Sequence, residues 1–509
     1  MKNFAISLLT KPLDQYDKKL ICNVHPREWR NPEPFARYNL VVIGAGTAGL
    51  ICAAAAASLG AKVALVESAL MGGDCLNVGC VPSKALIRAA RASGELRRAG
   101  EFGASVPDEA KPEFAIVMER MRRLRAELST KDAAQRYRDL GVDVFFGEGR
   151  FSGPDSICVE GKTLRFSRAV IATGSRPTAP PIPGLRETGF LTNETVFSLT
   201  QLPKRLVVIG AGPLGCELAQ AFSRFGSTVA LLEAESSILP REDREAAEVV
   251  KQALVRDGVE IVESCKISSV ASVGSEKLVK LNVDEKRREI ACDEILVAAG
   301  RAPSVDGLNL EAAGVEYDGR AGVKVDDYLR TSNPRVFAAG DVCSSYKFTH
   351  MADAMARIVI RNALFCGRER VSALTLPWCT YTDPEVAHVG LYEHEAHSRG
   401  LKTDTFVQPL HDVDRAVLDG ETEGFVKIHV RQGGDQIVGA TVVARHAGEI
   451  ISELTLAIVG RLGLSVISKT IHPYPTQAEA IRKIGDAYNR TRLTPLVAWL
   501  LRKWLRWTR

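Results

Sequence analysis

The chain has 509 residues, too many for one ordinary hydrophobic core, so several domains are expected. Its 46% hydrophobic and 25% charged residues are those of a soluble globular protein, and a net charge of +5 over this length argues against nucleic acid as a partner. Eleven cysteines, scattered apart from Cys75 and Cys80, exclude a disulfide-built secreted framework; without CxxC pairs or His-rich tracts no resident metal site is expected, and a reducing, cytoplasmic setting is the default.

The opening "MKNFAISLLTKPLDQYDKK" has too short an apolar run for a secretory signal, and no later stretch reaches the roughly 18–20 apolar residues of a membrane span. Residues 1–37 are polar, carry four prolines by Pro34, and read as an irregular extension. The first clear element is "YNLVVIGAGTAGLICAAAAASLGAKVALVES": a buried strand, a glycine-rich turn, an alanine-rich helix and a second strand. The layout returns at Lys204–Ser236, "KRLVVIGAGPLGCELAQAFSRFGSTVALLEAES". From Gly44 to Glu67, and from Gly210 to Glu233, the distance is 23 positions in both, so the chain holds an internal duplication.

A lone GxGxxG is a weak signal. Here Gly44, Gly46 and Gly49, and again Gly210, Gly212 and Gly215, follow a strand and open a helix, with an acid ending the next strand. Such glycines let the backbone approach a pyrophosphate at a helix N-terminus, while Glu67 or Glu233 accepts hydrogen bonds from ribose. Two dinucleotide sites in one chain imply hydride transfer from a nicotinamide to a flavin. Glu233 stands where NADP would want an arginine, so NADH is expected, with Arg241 the residue that would spoil this reading. The paired segments "RAVIATGSRP" and "EILVAAGRAP" add strands ending near Thr173–Gly174 and Gly300, and "TSNPRVFAAGD" another ending at Asp341.

Between the two copies lies "GGDCLNVGCVPSK". Four residues separate Cys75 from Cys80, either a helical i, i+5 pair or a loop-to-helix junction, and Gly72-Gly73 permits close backbone approach to a cofactor. Two nearby ligands are too few for zinc, and a purely structural bridge is a poor fit beside a flavin fold; a redox pair is expected. Lys84, one turn after Cys80, offers a cation that favours a thiolate. From about Pro377 alternating strands and punctuated helices mark a separate α+β domain.

These motifs, with "LPWCTYTDPEVAHVG", resemble the class I flavoprotein disulfide reductases, the family of dihydrolipoamide dehydrogenase, glutathione reductase and mercuric reductase, over about residues 38–490. The resemblance implies an α/β fold with two Rossmann-like domains and a C-terminal α+β dimerisation domain. Its segments would be an FAD-binding domain (38–185 and 305–370), an NAD(P)-binding domain (186–304), a dimerisation domain (371–490) and a basic tail (491–509), after the 1–37 extension. It implies FAD contacts from Gly73, Thr173, Gly174 and Asp341, with Lys84 by the flavin and paired with Glu217. Cys80 would contact the flavin as a thiolate, Cys75 would exchange with substrate, and a homodimer would share the active site.

The pattern breaks at "IHPYPTQAEA". Disulfide-using members place His before the Pro-Thr, oriented by the following Glu; here Tyr474 precedes Pro475, with Glu479 in place and His472 two positions early. A tyrosine of pKa about 10 is a poor base at neutral pH, and losing a positioned base costs about 10²–10⁴-fold. Tyr474 resembles the mercuric reductase version of the segment, so a metal-ion or small-molecule acceptor is expected. Those enzymes also carry a cysteine pair near the C-terminus, which this tail lacks. The tail, 494–509, instead reads as a helix capped by Thr494 and Pro495, with basic residues on one side and apolar ones, Trp504 and Trp507 included, on the other, and Trp499 the one misfit. Such a helix fits a membrane interface, and with it a quinone acceptor, as well as it fits packing on the protein.

Overall fold

The computed structural model describes residues 10, 12–105, 107 and 112–509. Most of the opening stretch searched for a secretory core lies outside them. The chain divides into two units, Met1–Ala234 with Val262–Leu374, and Glu235–Ile261 with Thr375–Arg509.

The extension read as irregular contains helix α1 (Gln15–Val24), N-capped by Asp14, whose carboxylate accepts from the Tyr16 and Asp17 backbone N–H groups. Its prolines bracket the helix instead of interrupting it, and Leu20, Ile21 and Val24 bury one face. Then come β1 (Tyr38–Ile43), α2 (Thr47–Ser58), β2 (Val63–Glu67), the short α3 (Gly73–Asn77), α4 (Cys80–Arg98), α5 (Phe114–Leu128), β3 (Val142–Phe146) and β4 (Lys162–Ile171). The second copy of the motif supplies β5 (Arg205–Ile209), α6 (Pro213–Phe225) and β6 (Thr228–Leu232), followed by β7 (Glu294–Val297), β8 (Val336–Ala338) and α7 (Thr349–Leu364).

Strands β3-β2-β1-β4-β8 pair in parallel, as do β6-β5-β7. Their near-continuous apolar runs are what strands buried on both faces require, and both glycine turns emerge at the C-terminal ends of the central strands, β1 and β5.

In the second unit β9 (Pro377–Thr380), β10 (Glu385–Gly390), β11 (Thr403–Pro409), β12 (Phe425–Arg431) and β13 (Ile437–Ala444) form an antiparallel sheet in the order β9-β10-β13-β12-β11. Helices α8 (Ala447–Val459) and α9 (Glu479–Thr491) share its apolar core through Ile451, Leu454, Ile481 and Ile484. Helix α10 (Pro495–Trp507) ends the chain; Thr494 Oγ1 accepts from Val497 N at 3.3 Å, Pro495 opens the first turn, and no residue of the helix is buried. Among the described residues no helix is long and apolar enough to cross a membrane.

Candidate active site

The two glycine turns are built alike. Gly44 and Gly210 have φ of +100° and +102°, a region closed to most side chains. A Cβ on Gly49 would lie 1.8 Å from Gly44 O, and one on Gly215 1.9 Å from Gly210 O, so helix and turn pack backbone to backbone in both. Gly46 and Gly212 begin their helices without a side-chain cap, leaving the first N–H groups for an anion. Glu67 Oε2 accepts from Ala45 N at 2.7 Å and Glu233 Oε2 from Ala211 N at 2.6 Å, which fixes each carboxylate at the mouth of its turn, and Glu67 Oε1 accepts from Ala69 N at 2.7 Å as well.

The first copy alone is joined by the cysteine loop. A Cβ on Gly73 would stand 2.7 Å from Gly46 Cα, so the loop lies directly on the turn, with φ of +56° at Gly73. Nearby, Thr173 Oγ1 donates to Ser304 O at 2.7 Å, Gly174 has open space where a side chain would project, and Asp341 Oδ2 accepts from Ser175 Oγ at 2.6 Å. This uncapped, side-chain-free cradle with a carboxylate at the strand end fits the phosphates and ribose of FAD. The second cradle, with Gly212 open and Gly300 at φ +118°, fits a nicotinamide dinucleotide.

Cys75 lies in α3 and Cys80 is the first residue of α4, the loop-to-helix alternative, and both are free thiols. The hydrogen bond between them governs their titration. It lowers Cys80 to about 6, helped by Thr349 and the Lys84 charge against burial and Glu217, and the same bond, with burial, raises Cys75. Both shifts favour ionisation at Cys80 ahead of Cys75. Lys84 Nζ stands 2.8 Å from Glu217 Oε2, a carboxylate only 4% exposed, so a fixed cation is kept one helical turn from the thiolate.

Sequence reasoning missed several partners of this loop. Thr349 Oγ1, at the start of α7, lies 3.4 Å from Cys80 Sγ. Arg301 pairs with Asp74, and Asn193 Nδ2 donates to Val78 O at 3.2 Å. Only Arg301, the arginine of the AAGRAP motif, lies in a segment the sequence singles out.

In the second unit Tyr474 is 69% exposed and its hydroxyl donates to Asp414 Oδ2 at 2.8 Å, which raises its pKa further from any basic role. Glu479 is buried; Oε1 accepts from Arg482 at 2.7 Å and Oε2 has no hydrogen-bond partner among the described residues. His472 is held elsewhere, with Nε2 2.9 Å from Glu453 Oε1 and Nδ1 3.0 Å from Thr470 O.

Two glycine cradles and a thiol pair that favours a thiolate at Cys80, beside the Lys84–Glu217 ion pair, define a dinucleotide-dependent thiol oxidoreductase. Residues 38–356 match the family described as pyridine nucleotide-disulphide oxidoreductase, and residues 376–484 match its dimerisation domain. The chain belongs to that family. It is 35% identical to a mercuric reductase from Bacillus cereus over 89% of this chain and 72% of that one. It is 36% identical to a dihydrolipoyl dehydrogenase from Thermus scotoductus over 89% and 98%. Among solved structures it resembles the HOCl-induced flavoprotein disulfide reductase RclA from Escherichia coli, with a TM-score of 0.79, 27% identity, and 88% and 99% of the two chains covered. LpdA from Mycobacterium tuberculosis gives a TM-score of 0.81, 26% identity, and 89% and 100%. The protein is thus an enzyme, a flavoprotein disulfide reductase of a family that uses FAD and NAD(P)H, and its dimerisation domain points to a homodimer.

Proposed function

We propose that this enzyme takes electrons from NADH and passes them through FAD to a Cys75–Cys80 disulfide and on to a metal ion or small molecule, in the manner of a mercuric reductase. The observation that carries this reading is Tyr474. The position before Pro475 holds no base for a substrate thiol, and both ring nitrogens of His472 are already engaged. FAD, when bound, supplies two-electron exchange with the nicotinamide on one side and the disulfide on the other. Lys84 and Glu217 hold fixed charge beside Cys80, and Cys75 becomes the exchanging sulfur once it gives up its proton. With both sulfurs ionised the pair offers two soft ligands for a metal ion. Tyr474 and Glu479 of the partner subunit would shape the acceptor site. The Glu233 carboxylate, where a 2′-phosphate would be repelled, supports NADH.

The test is anaerobic NADH oxidation with Hg(II) presented as a thiol complex, beside lipoamide and a short-chain quinone. Sustained Hg(II) turnover that Cys75→Ser abolishes supports the proposal. Lipoamide turnover exceeding it would instead favour a dihydrolipoyl dehydrogenase.

A second reading concerns place, and the tail carries it. Leu496, Trp499, Leu500, Trp504, Leu505 and Trp507 are all more than half exposed, while Arg502, Lys503, Arg506 and Arg509 supply cations with no acid after Asp486. An anionic lipid surface complements that charge, where a second copy of the tail repels it. The enzyme would then be cytoplasmic and peripheral at the membrane, within reach of a quinone. Sedimentation with anionic but not neutral vesicles, lost when residues 494–509 are removed, tests this.

A further inference from the structure

The N-terminal helix does more than cover the first unit. Asp17, on α1, and Arg125, on α5, form an ion pair at 2.8 Å whose side chains are 0% and 1% exposed. Burial works against both charges, raising the Asp17 pKa and lowering that of Arg125. A pair hidden this deeply contributes little net stability compared with apolar side chains of similar volume, so its retention calls for another account.

The other arm of the guanidinium supplies one. Arg125 Nη1 donates at 2.9 Å to Asn77 O, the backbone carbonyl between Cys75 and Cys80. The Asn77 amide in turn donates to Met71 O at 3.1 Å and Gly73 O at 2.9 Å, closing the loop on itself. The same N-terminal segment reaches the loop's entry, where Met71 N donates to Val24 O at 3.1 Å. It is pinned independently by Asn23 Nδ2 donating to Ser129 Oγ at 2.8 Å and by Arg122 against Asp14 at 2.6 Å. Asp17 thus fixes Arg125, Arg125 fixes Asn77, and Asn77 fixes the turn that brings the two sulfurs together.

We infer that Asp17 and Arg125 are positioning residues of the redox centre, through which the N-terminal segment sets the approach of Cys75 to Cys80. This rests on the reading of the two cysteines as the redox pair. Two electrons and two protons open the disulfide to two thiols, and the proton from Cys80 is released when it remains a thiolate. A loop freed from Arg125 lets the sulfurs drift. The hydrogen bond that lowers Cys80 weakens, and the effective concentration of one thiol at the other falls. The two changes oppose each other at neutral pH: a Cys80 thiolate that forms at higher pH disfavours the dithiol, while a lower effective concentration disfavours the disulfide. Read at about pH 5, where both sulfurs are largely protonated, only the second acts, and the equilibrium with a reference thiol moves from disulfide towards dithiol.

The experiment uses the FAD-loaded enzyme and two readouts that need no turnover: the pH profile of Cys80 alkylation in the reduced protein, and the disulfide fraction at equilibrium with glutathione at about pH 5, read by mass spectrometry. Asp17→Val/Arg125→Met replaces the pair by apolar groups, which commonly preserves stability. Arg125→Lys is the milder second variant, keeping a cation against Asp17 without the guanidinium fork. Asn23→Ala is the control, removing the contact to Ser129 while leaving the Asp17–Arg125–Asn77 chain in place. Lys84 and Glu217 beside Cys80, and Asp132 near Cys75, are left intact in all three. The expected result is an alkylation midpoint raised by about one pH unit and a glutathione equilibrium moved about tenfold in both pair variants, with Asn23→Ala unchanged. Pair variants that lose thermal stability while both redox readouts stay in place would make the pair structural only and overturn the inference. An unsubstituted enzyme with no alkylation near pH 6 and no disulfide at any glutathione ratio would overturn the redox-pair reading beneath it.

Discussion

The two glycine turns differ by 2° in φ at their first glycine and by 0.1 Å in the approach of their last, yet they serve different ends. Everything that distinguishes them lies outside the motif. After the first turn the chain doubles back at Gly72-Gly73 and lays the thiol loop on Gly46. After the second it runs on without a cysteine pair, but α6 carries Glu217, which crosses to Lys84 beside the thiols. A repeated motif therefore fixes how a backbone meets a dinucleotide, and says little about which chemistry follows. The insertions after the turn decide that.

The sharpest way to break the comparison is to remove what only one copy has. Cys75→Ser should lower turnover with any acceptor by about 10³-fold or more while FAD and NADH still bind, measured by steady-state rates beside flavin content. The next largest effects should come in a matched pair. Gly49→Ala and Gly215→Ala would each push a methyl to within 2 Å of a backbone oxygen, an overpacking that costs about 1–3 kcal/mol or more. If the cradles are assigned correctly the outcomes separate. The first variant should be purified largely without flavin, and the second should keep its flavin and lose at least about tenfold in kcat/KM for NADH. Equal loss of flavin in both would erase the distinction.

How far these features could be read from sequence follows from their range. The two Rossmann-like folds and the C-terminal α+β domain were legible because they rest on local signals: strand, glycine turn, helix and acid at fixed spacing. The departure at Tyr474 was legible for the same reason. The partners that complete the thiol loop were not. Thr349, Asn193 and Arg125 lie 269, 115 and 48 positions from the loop residues they contact, and each is an ordinary residue in an ordinary helix or turn. The N-terminal helix was hidden differently. Its four prolines suggested irregular chain, while the amphipathic spacing of Leu20, Ile21 and Val24 between them was a weak, short signal that burial against the rest of the unit makes decisive.

Smaller effects should sharpen the comparison of the two carboxylates. Glu233→Ala removes a ribose acceptor and a charge that repels a 2′-phosphate, so the NADH-to-NADPH ratio of kcat/KM should fall about tenfold or more. Glu67→Ala should leave that ratio alone and weaken FAD retention.

The smallest shift is the most informative about the thiols. The Cys80 thiol is held below its ordinary range because the Cys75 hydrogen bond, Thr349 and the Lys84 charge outweigh burial and the Glu217 carboxylate. Lys84→Met removes a term that favours the thiolate, so the alkylation midpoint should rise; Glu217→Gln removes one that opposes it, so the midpoint should fall. Each change should amount to about half a unit, since the Lys84 side chain is 34% exposed and solvent screens its charge. Shifts of opposite sign would show that the pair acts on Cys80 as two separate charges in near balance. Shifts of the same sign would show instead that breaking the ion pair disturbs α4 itself, and that Lys84 and Glu217 serve the thiolate by fixing the helix on which it begins.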